Sequence, residues 1–534
     1  MNSDISDGLA LETDVLVIGG GPAATWAALT AREEGARVVL ADKGYCGSSG
    51  VAAPSTIGHW WVAEENRPAA MAEKARAGGY LSDPAWMARI LDETWRTWPR
   101  IADRRGYRQG DDGDAGAQPL VQGPVYLREM RRLIKQAGVT ILDHSPALEL
   151  LAADGAVCGA RGLRRHAAGP WRVHAGAVIL ATGGCAFKSG CLGGNVATGD
   201  GYLMAAEAGA RLTGMEFSNY YGLVPVGCSI DKNGYYLLAT YYDERGREID
   251  RGWSPPAGVV GTAIARAFIE GPVFARFDRV APQDRLAVRA SQPNLLIQFD
   301  RLGIDPFTEK FRIEPIMEGS VRGTGGVVVA DETCWTGVPG LWVAGDTASR
   351  QHITGAASGA GSANAAWTVS SGRWSGKAAA RHARERGRPR GHPAPAAPEG
   401  RNGAAARPTT EAGALQRLEK LIGAEVHPLE KNGLRSATGM TEALGRLENG
   451  WDLLRNGLAA DDVRARIRLR ETEAMLATAR WSYIAALARE ETRGMHVRAD
   501  FPATEQGQHR QLILSGIDAP VLEAVPVARN DFGQ

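Results

Sequence analysis

The chain is poor in the features that most directly announce a function. Among its 534 residues are only six cysteines, Cys46, Cys158, Cys185, Cys191, Cys228 and Cys334, with no CxxC pair and no clustered spacing. That pattern argues against an iron–sulfur cluster, a structural zinc or a disulfide framework within the chain, and fits reduced thiols in a cytoplasm. No metal site is expected. No apolar run approaches the roughly 20 residues of a spanning helix. The opening MNSDISDGLALETD is acidic and lacks the basic and apolar regions of a secretion signal. A soluble cytoplasmic protein without a membrane span is the expectation. Charge of one sign is missing as well: 61 Lys and Arg against 60 Asp and Glu leave a net charge of +1. No global field draws the protein to nucleic acid or to an anionic membrane, so a charged small molecule must be met locally.

What the chain has in abundance is glycine, 67 residues of it. The first informative stretch is DVLVIGGGPAATWAALTAREEGARVVLADKG, Asp14 to Gly44. An apolar run at Val15 to Ile18 fits a buried parallel strand, Pro22 to Glu34 a helix, and Arg37 to Ala41 a second strand. Asp83 to Arg105 and Pro124 to Ala137 read as amphipathic helices, Ala147 to Leu163 as a hairpin, and Ala177 to Leu180 as another buried strand. Strands alternating with helices indicate an α/β domain. Asn219 to Arg322 is mixed, and strand signals return at Gly326 to Val329 and Gly340 to Ala344. The fold expected is a Rossmann-like nucleotide domain (1–216 and 325–380) split by an α+β capping domain (217–324). A linker (381–410) rich in Arg, Pro and Gly then leads to a C-terminal helical domain (411–534).

Gly19-x-Gly21-x-x-Ala24 follows a strand and opens a helix, with Asp42 closing the second strand. This is the arrangement in which backbone approaches a pyrophosphate, a helix N-terminus favours phosphate, and a carboxylate accepts from ribose hydroxyls. A dinucleotide is expected. Three more segments, Gly44 to Ala53, Ile179 to Gly184 and Leu341 to Asp346, carry the same small residues. FAD, which runs the width of a domain, needs several such segments, whereas NAD needs chiefly the first turn.

The ordered motifs GGGPAA, DKG, SSGVAA, ATGG, TGDG, MEF, GTGG, VPGLWVAGD and RGMHVRADFP resemble the succinate dehydrogenase and fumarate reductase flavoprotein family, which also holds aspartate oxidase and adenylylsulfate reductase. The resemblance spans nearly the whole chain. It implies that Gly19, Gly21 and Ala24, with Pro22 and Ala23, meet the pyrophosphate and that Asp42, with Lys43, meets the adenosine ribose. Ser48, Ser49 and Gly50 are implied toward the flavin, and Thr182 and Gly183 toward the adenosine half. Asp200 and Asp346 are implied toward the isoalloxazine or ribityl chain, Asp200 being equally readable as a helix cap. Ala147, Ala181, Gly345, Ser358 and Ser362 complete the cofactor set.

Departures from the family pattern shape the functional expectation. Members with covalent flavin carry a histidine in a SHTVAA-like stretch, where this chain reads Ser48-Ser49-Gly50-Val51-Ala52-Ala53, so non-covalent FAD is expected. The substrate arginine of the dicarboxylate enzymes is matched by Thr354-Gly355-Ala356-Ala357-Ser358, and their second arginine stretch by Gly261 to Arg266. Without guanidinium partners a dicarboxylate loses most of its recognition. In their place stand Asn219, Tyr220 and Tyr221, the GHWW stretch Gly58 to Trp61, and Glu318, Arg322 and His352. Tyr221, Arg322, Tyr220, Glu318 and His352 are the candidate catalytic residues, with tyrosine as proton donor and arginine as its stabiliser. Packing of the cap is the alternative for the aromatics, and a loop hydrogen bond for His352. The expected activity is hydride transfer between a small organic substrate, not a simple dicarboxylate, and flavin N5. The alternatives are a flavoprotein subunit of an electron-transfer complex with an iron–sulfur partner, adenylylsulfate reductase-like or fumarate reductase-like, and a non-enzymatic flavin redox sensor.

Overall fold

The computed structural model describes residues 8–102, 121–166, 169–232, 234–250, 260–291, 293–358, 362–388, 391, 393–396, 413–455, 458, 460 and 462–528. Five strands lie parallel in its main sheet: Thr140–Leu142, Val38–Ala41, Leu9–Ile18, Gly169–Leu180 and Leu341–Val343. Val15 to Ile18 and Ala177 to Leu180 are almost wholly buried, as the unbroken apolar runs require of a sheet covered on both faces. Gly169–Leu180 also pairs antiparallel through its first half with Ala156–Arg164, which forms the expected hairpin with Ala147–Ala153. The fold is the Rossmann-like α/β arrangement read from the sequence.

Helix Pro22–Glu33 packs on helix Ala363–Arg386 through small residues. A Cβ at Gly372 or Gly376 would run into the carbonyls of Ala23 and Ala27. Within the small-residue stretch from Gly345 to Trp367, Gly345 also faces helix Pro22–Glu33, at Ala23; residues 359–361 of the stretch lie outside the described set. The same small face continues past residue 380, where Ala383 meets Gly176. Helix Ala363–Arg386 thus runs on through 381–386, the start of the expected linker, with its arginines on the solvent side. Ala394–Pro395 adds a short strand beside Ala147–Ala153. Most of the remaining linker, 397–410, lies outside the described residues.

The expected helix from Asp83 is two helices, Pro84–Thr97 and Pro99–Ala102, because Pro99 cannot donate to the preceding turn; residues 103–105 are outside the described set. The middle of the chain forms a five-stranded antiparallel sheet, from Tyr220–Pro225 to Phe311–Gly319, flanked by helices. Helices Ala414–Val426, Ala437–Arg455 and Val463–Ala488 follow. The C-terminal region is not purely helical: Arg510–Ser515 and Val521–Pro526 form a hairpin that pairs with Leu212–Thr213, itself paired with Gly326–Val327. Leu512, Ile513 and Leu514 are buried in succession in that hairpin, a short apolar run without period-2 alternation that periodicity alone does not separate from a helix segment.

Candidate functional site

Four chain segments leave the main sheet at the carboxyl ends of neighbouring parallel strands: Gly19 after Ile18, Asp42 after Ala41, Ala181 after Leu180, and Ala344-Gly345 after Val343. This edge is where ligands bind in open α/β sheets. A cavity of about 550 Å³ lies along it. Its lining includes Gly19, Gly21, Pro22, Ala23, Asp42, Lys43, Ser49, Gly50, Ala147, Ala181, Thr182, Gly183, Asp200, Gly345, Asp346 and Ser362, together with Tyr220 and Arg322 from the cap side.

Backbone makes one half of this wall. Gly19 has φ +126°, and a side chain there would collide with the Ala181 carbonyl of the adjacent strand. Gly345 has φ +63°, and a Cβ would lie 2.7 Å from that of Ala23. Gly21 differs from both: it caps the first helix with φ −79° and no side-chain cap, and a Cβ on it would meet no protein atom within 4 Å. The volume above it, facing the free N–H groups of the first turn, suits a phosphate lying against bare backbone. Asp42 is buried, its oxygens accepting from Ser49 Oγ at 2.7 Å and the Gly44 N–H at 3.2 Å. Burial raises its pKa against those hydrogen bonds. Thr182 and Thr347 hydroxyls meet at 3.2 Å at the mouth of the neighbouring strand. Burial likewise raises Asp346, although it is ion-paired with Arg350.

Asp200 is the first residue of helix Asp200–Glu207 rather than its cap, and accepts from Lys43 Nζ at 2.7 Å and Thr198 Oγ1 at 2.8 Å. Lys43 also pairs with Glu471 of helix Val463–Ala488 at 3.0 Å. Burial by itself would lower the lysine, but Asp200 and Glu471 outweigh it and its pKa rises. Glu471 responds in the opposite sense: burial pulls it up, while Lys43 and Lys188 hold it down at about 2.

Side chains make the other half. Tyr220 is buried with its hydroxyl 3.3 Å from Arg322 Nη1. Burial pushes its pKa up, opposed by Arg322. Arg322 Nε lies 3.4 Å from Glu318 Oε2, and the same oxygen is 2.8 Å from Lys232 Nζ. Lys232, which also lines the cavity, donates to Asp231 Oδ2 at 2.6 Å. Glu318 is held down by Arg322 and Lys232 against the upward pull of burial. Asp231 is pushed up by burial and by Glu318. Lys232 and Asp231 escape a reading of the sequence; DKN in a loop carries no motif, and only the fold brings it under Glu318.

Several candidates lie elsewhere. Successive strand residues point to opposite faces, so with Tyr220 at the cavity, Tyr221 is turned to the C-terminal helices, its hydroxyl 3.2 Å from the Val426 carbonyl. His352 stacks on Trp86, ring centroids 5.1 Å apart, and burial lowers its pKa; it does not line the cavity. Asn219 donates to the Asn432 and Met495 carbonyls. Of the GHWW stretch only Gly58 lines the cavity: His59 packs at a tilt against Trp98, Trp60 packs in the core and Trp61 stacks on Trp95. Ala24 and Ser358 are buried behind the wall, and neither they nor Ser48 and Glu318 are in its lining. The stretch Thr354 to Ser358 offers no guanidinium; nearby Arg350 is engaged with Asp346 and the Gly323 carbonyl. Among the described lining residues each cation, Lys43, Lys232 and Arg322, is already ion-paired. Among the described residues no group of three or more His, Cys, Asp or Glu is placed to hold a metal ion, and no helix is long and apolar enough to cross a membrane.

Comparison with known proteins agrees with this geometry. The pattern of the family described as "FAD binding domain" matches residues 14–98 and 91–363, and that of "Fumarate reductase flavoprotein C-term" matches 433–529. One subunit of the CoM/CoB fumarate reductase of Methanothermobacter marburgensis is 25% identical over 551 residues, covering 94% of this chain and 97% of that protein. L-aspartate oxidase of Mycobacterium tuberculosis is 26% identical over 547 residues, covering 95% of each. Among solved structures, adenylylsulfate reductase from Archaeoglobus fulgidus superposes with a TM-score of 0.76 at 19% identity, over 98% of this chain and 97% of that one. A quinol-fumarate reductase with menaquinol molecules gives 0.78 at 20% identity, over 98% and 99%.

Proposed function

This chain belongs to the succinate dehydrogenase and fumarate reductase flavoprotein family and is an FAD-dependent oxidoreductase, and from that premise we propose that it transfers hydride to or from a small organic substrate other than a simple dicarboxylate. The observation that carries this reading is the pairing of every described cation in the cavity wall. A dicarboxylate entering would have to draw Arg322 or Lys232 away from buried Glu318 and Asp231, stranding a carboxylate out of water, which costs several kcal/mol (about 3–5).

The residues present fit FAD: bare backbone over Gly21, an uncapped helix end, and a carboxylate at Asp42. Gly19, Gly21 and the first turn of helix Pro22–Glu33 would hold the pyrophosphate, Asp42 the adenosine ribose, and Ser49, Gly50, Asp200 and Asp346 the flavin half. Bound there, FAD supplies hydride chemistry at its ring. The chain's own residues orient the substrate, exclude water beneath the cap and move the accompanying proton. Tyr220 is the proton donor at the cavity wall, and Arg322 stabilises its oxygen when the proton leaves. With no histidine in Gly44 to Ala53 and Ser49 bonded to Asp42, the cofactor is held without a covalent bond.

The test is anaerobic. Oxidised holoprotein is mixed with succinate or L-aspartate, and dithionite-reduced holoprotein with fumarate, while flavin absorbance is followed. No redox change is expected, whereas turnover with any of the three would overturn the substrate assignment. Yellow colour should pass to the supernatant on acid precipitation. A second reading, in which the chain works within an electron-transfer complex beside an iron–sulfur partner, draws on the methanogen relative being one subunit of its fumarate reductase; native size-exclusion that yields this chain alone would count against it.

A further inference from the structure

Tyr220 differs from other buried tyrosines in what its hydroxyl touches. Tyr202, Tyr221, Tyr241 and Tyr483 each donate to a backbone carbonyl. Tyr220 instead receives Arg322 Nη1 at 3.3 Å, and among the described residues its own hydrogen has no acceptor. A buried O–H left in that state is destabilising. Because Tyr220 lines the cavity, an acceptor oxygen on a bound molecule is what completes it.

The wall around this donor is apolar. Val51 packs against Ala197 and Val321 in one cluster, and all three line the cavity. Leu237 lines it too, yet is 50% exposed, which puts it at the rim. It is held there: the 3-10 turn Tyr235–Leu238 is pinned by Tyr236, which is fully buried, edge-on to Phe277 and Phe311, with its carbonyl accepting from the Tyr241 hydroxyl. A leucine fixed half in water forgoes burial that an apolar ligand laid over it would restore.

We propose that the substrate is an uncharged molecule with an apolar body and one acceptor oxygen. The oxygen accepts from Tyr220, and the body runs from Val51, Ala197 and Val321 out to Leu237. This rests on the hydride-transfer reading above and narrows it. A carboxylate in the same place would need a counter-charge, and Arg322 and Lys232 are both engaged with Glu318. A neutral oxygen needs only the hydroxyl. Leu237 acts on specificity alone, since it meets the body of the substrate at the rim.

The test is titration of oxidised holoprotein with three probes, followed by the flavin difference spectrum. Cinnamamide is neutral, cinnamate has the same skeleton with a charge, and crotonamide keeps the amide without the ring. Cinnamamide should bind about tenfold more tightly than either of the others. Equal affinity for cinnamate overturns the neutral assignment, equal affinity for crotonamide overturns the apolar body, and a spectrum unmoved by cinnamamide overturns both. Leu237→Asp should weaken cinnamamide about tenfold and Leu237→Met should leave it unchanged, with FAD content intact in each. Tyr220→Phe should weaken it about fivefold. Unchanged affinity in Leu237→Asp overturns the rim contact, and in Tyr220→Phe the acceptor oxygen. Binding at equilibrium is read apart from turnover. Cinnamamide binding in a protein that also turns over succinate or fumarate would sink the dicarboxylate exclusion and leave this subsite standing. Silence with cinnamamide while the dicarboxylates stay inert does the reverse.

Discussion

The two halves of the cavity are built from different material. The half at the sheet edge is made of backbone, with Gly19, Gly21, Gly183 and Gly345 presenting bare peptide groups at strand ends. The half under the cap presents side chains, Tyr220, Lys232 and Arg322, whose charges are satisfied by Asp231 and Glu318 behind them. A backbone surface can be held constant while the chemistry opposite it is exchanged, because its shape depends on glycine and strand geometry alone. A side-chain surface is a balance of mutual charges, and changing one member unsettles the others.

Substitutions can sharpen this contrast. The largest effect is expected in the backbone half. Gly19→Ala combines a forbidden φ with a collision at Ala181 and should cost about 3 kcal/mol or more, read as a lowered Tm and a colourless protein. Gly21→Val separates fold from cofactor: with no protein atom within 4 Å of the added Cβ, the apoprotein should lose only about 1 kcal/mol from the poorer helix cap while the flavin-to-protein absorbance ratio collapses. A Gly21→Val protein that stays yellow would break the assignment of that half.

Next comes the clamp that the C-terminal helix Val463–Ala488 places on the sheet-edge half. Glu471→Ala leaves Lys43 and Lys188 facing each other and should destabilise by about 3 kcal/mol. Its pKa lies at about 2 in the fold against an ordinary 4.5. The stability it contributes is therefore complete above the ordinary carboxylate range and is lost as pH falls toward 2. Thermal melts across that range should show wild type converging on Glu471→Gln as the solution is acidified.

The smallest effects distinguish two neighbours. Tyr220→Phe should slow substrate-driven flavin reduction by about 10²-fold with FAD content intact. Tyr221→Phe, which loses only its hydroxyl contacts with the Val426 and Pro428 carbonyls, should change stability by about 1 kcal/mol and leave that rate unchanged.

The same contrast explains which parts of the site are legible in the sequence. Gly19, Gly21, Asp42, Thr182, Gly183 and Gly345 line the cavity, and each is visible because a strand end followed by a tight turn writes itself locally into sequence. Tyr220 and Arg322 are visible through their neighbouring motifs. Lys232, Asp231 and Glu471 are not, because their roles arise from contacts across long chain separations that no short pattern records. His352 and Tyr221 are misplaced by sequence for a related reason: a motif fixes where the backbone goes, while the pleat and the packing of Trp86 decide which way each side chain turns.

The salt link from Lys43 to Glu471 has a temporal consequence. During synthesis the nucleotide fingerprint emerges among the first residues, yet the carboxylate that anchors its lysine is more than 400 positions later. The nascent domain must wait for nearly the entire polypeptide before that corner is locked. A chain ending before Glu471 would keep Lys43 paired with Asp200 alone, and that corner of the pocket would be less firmly held.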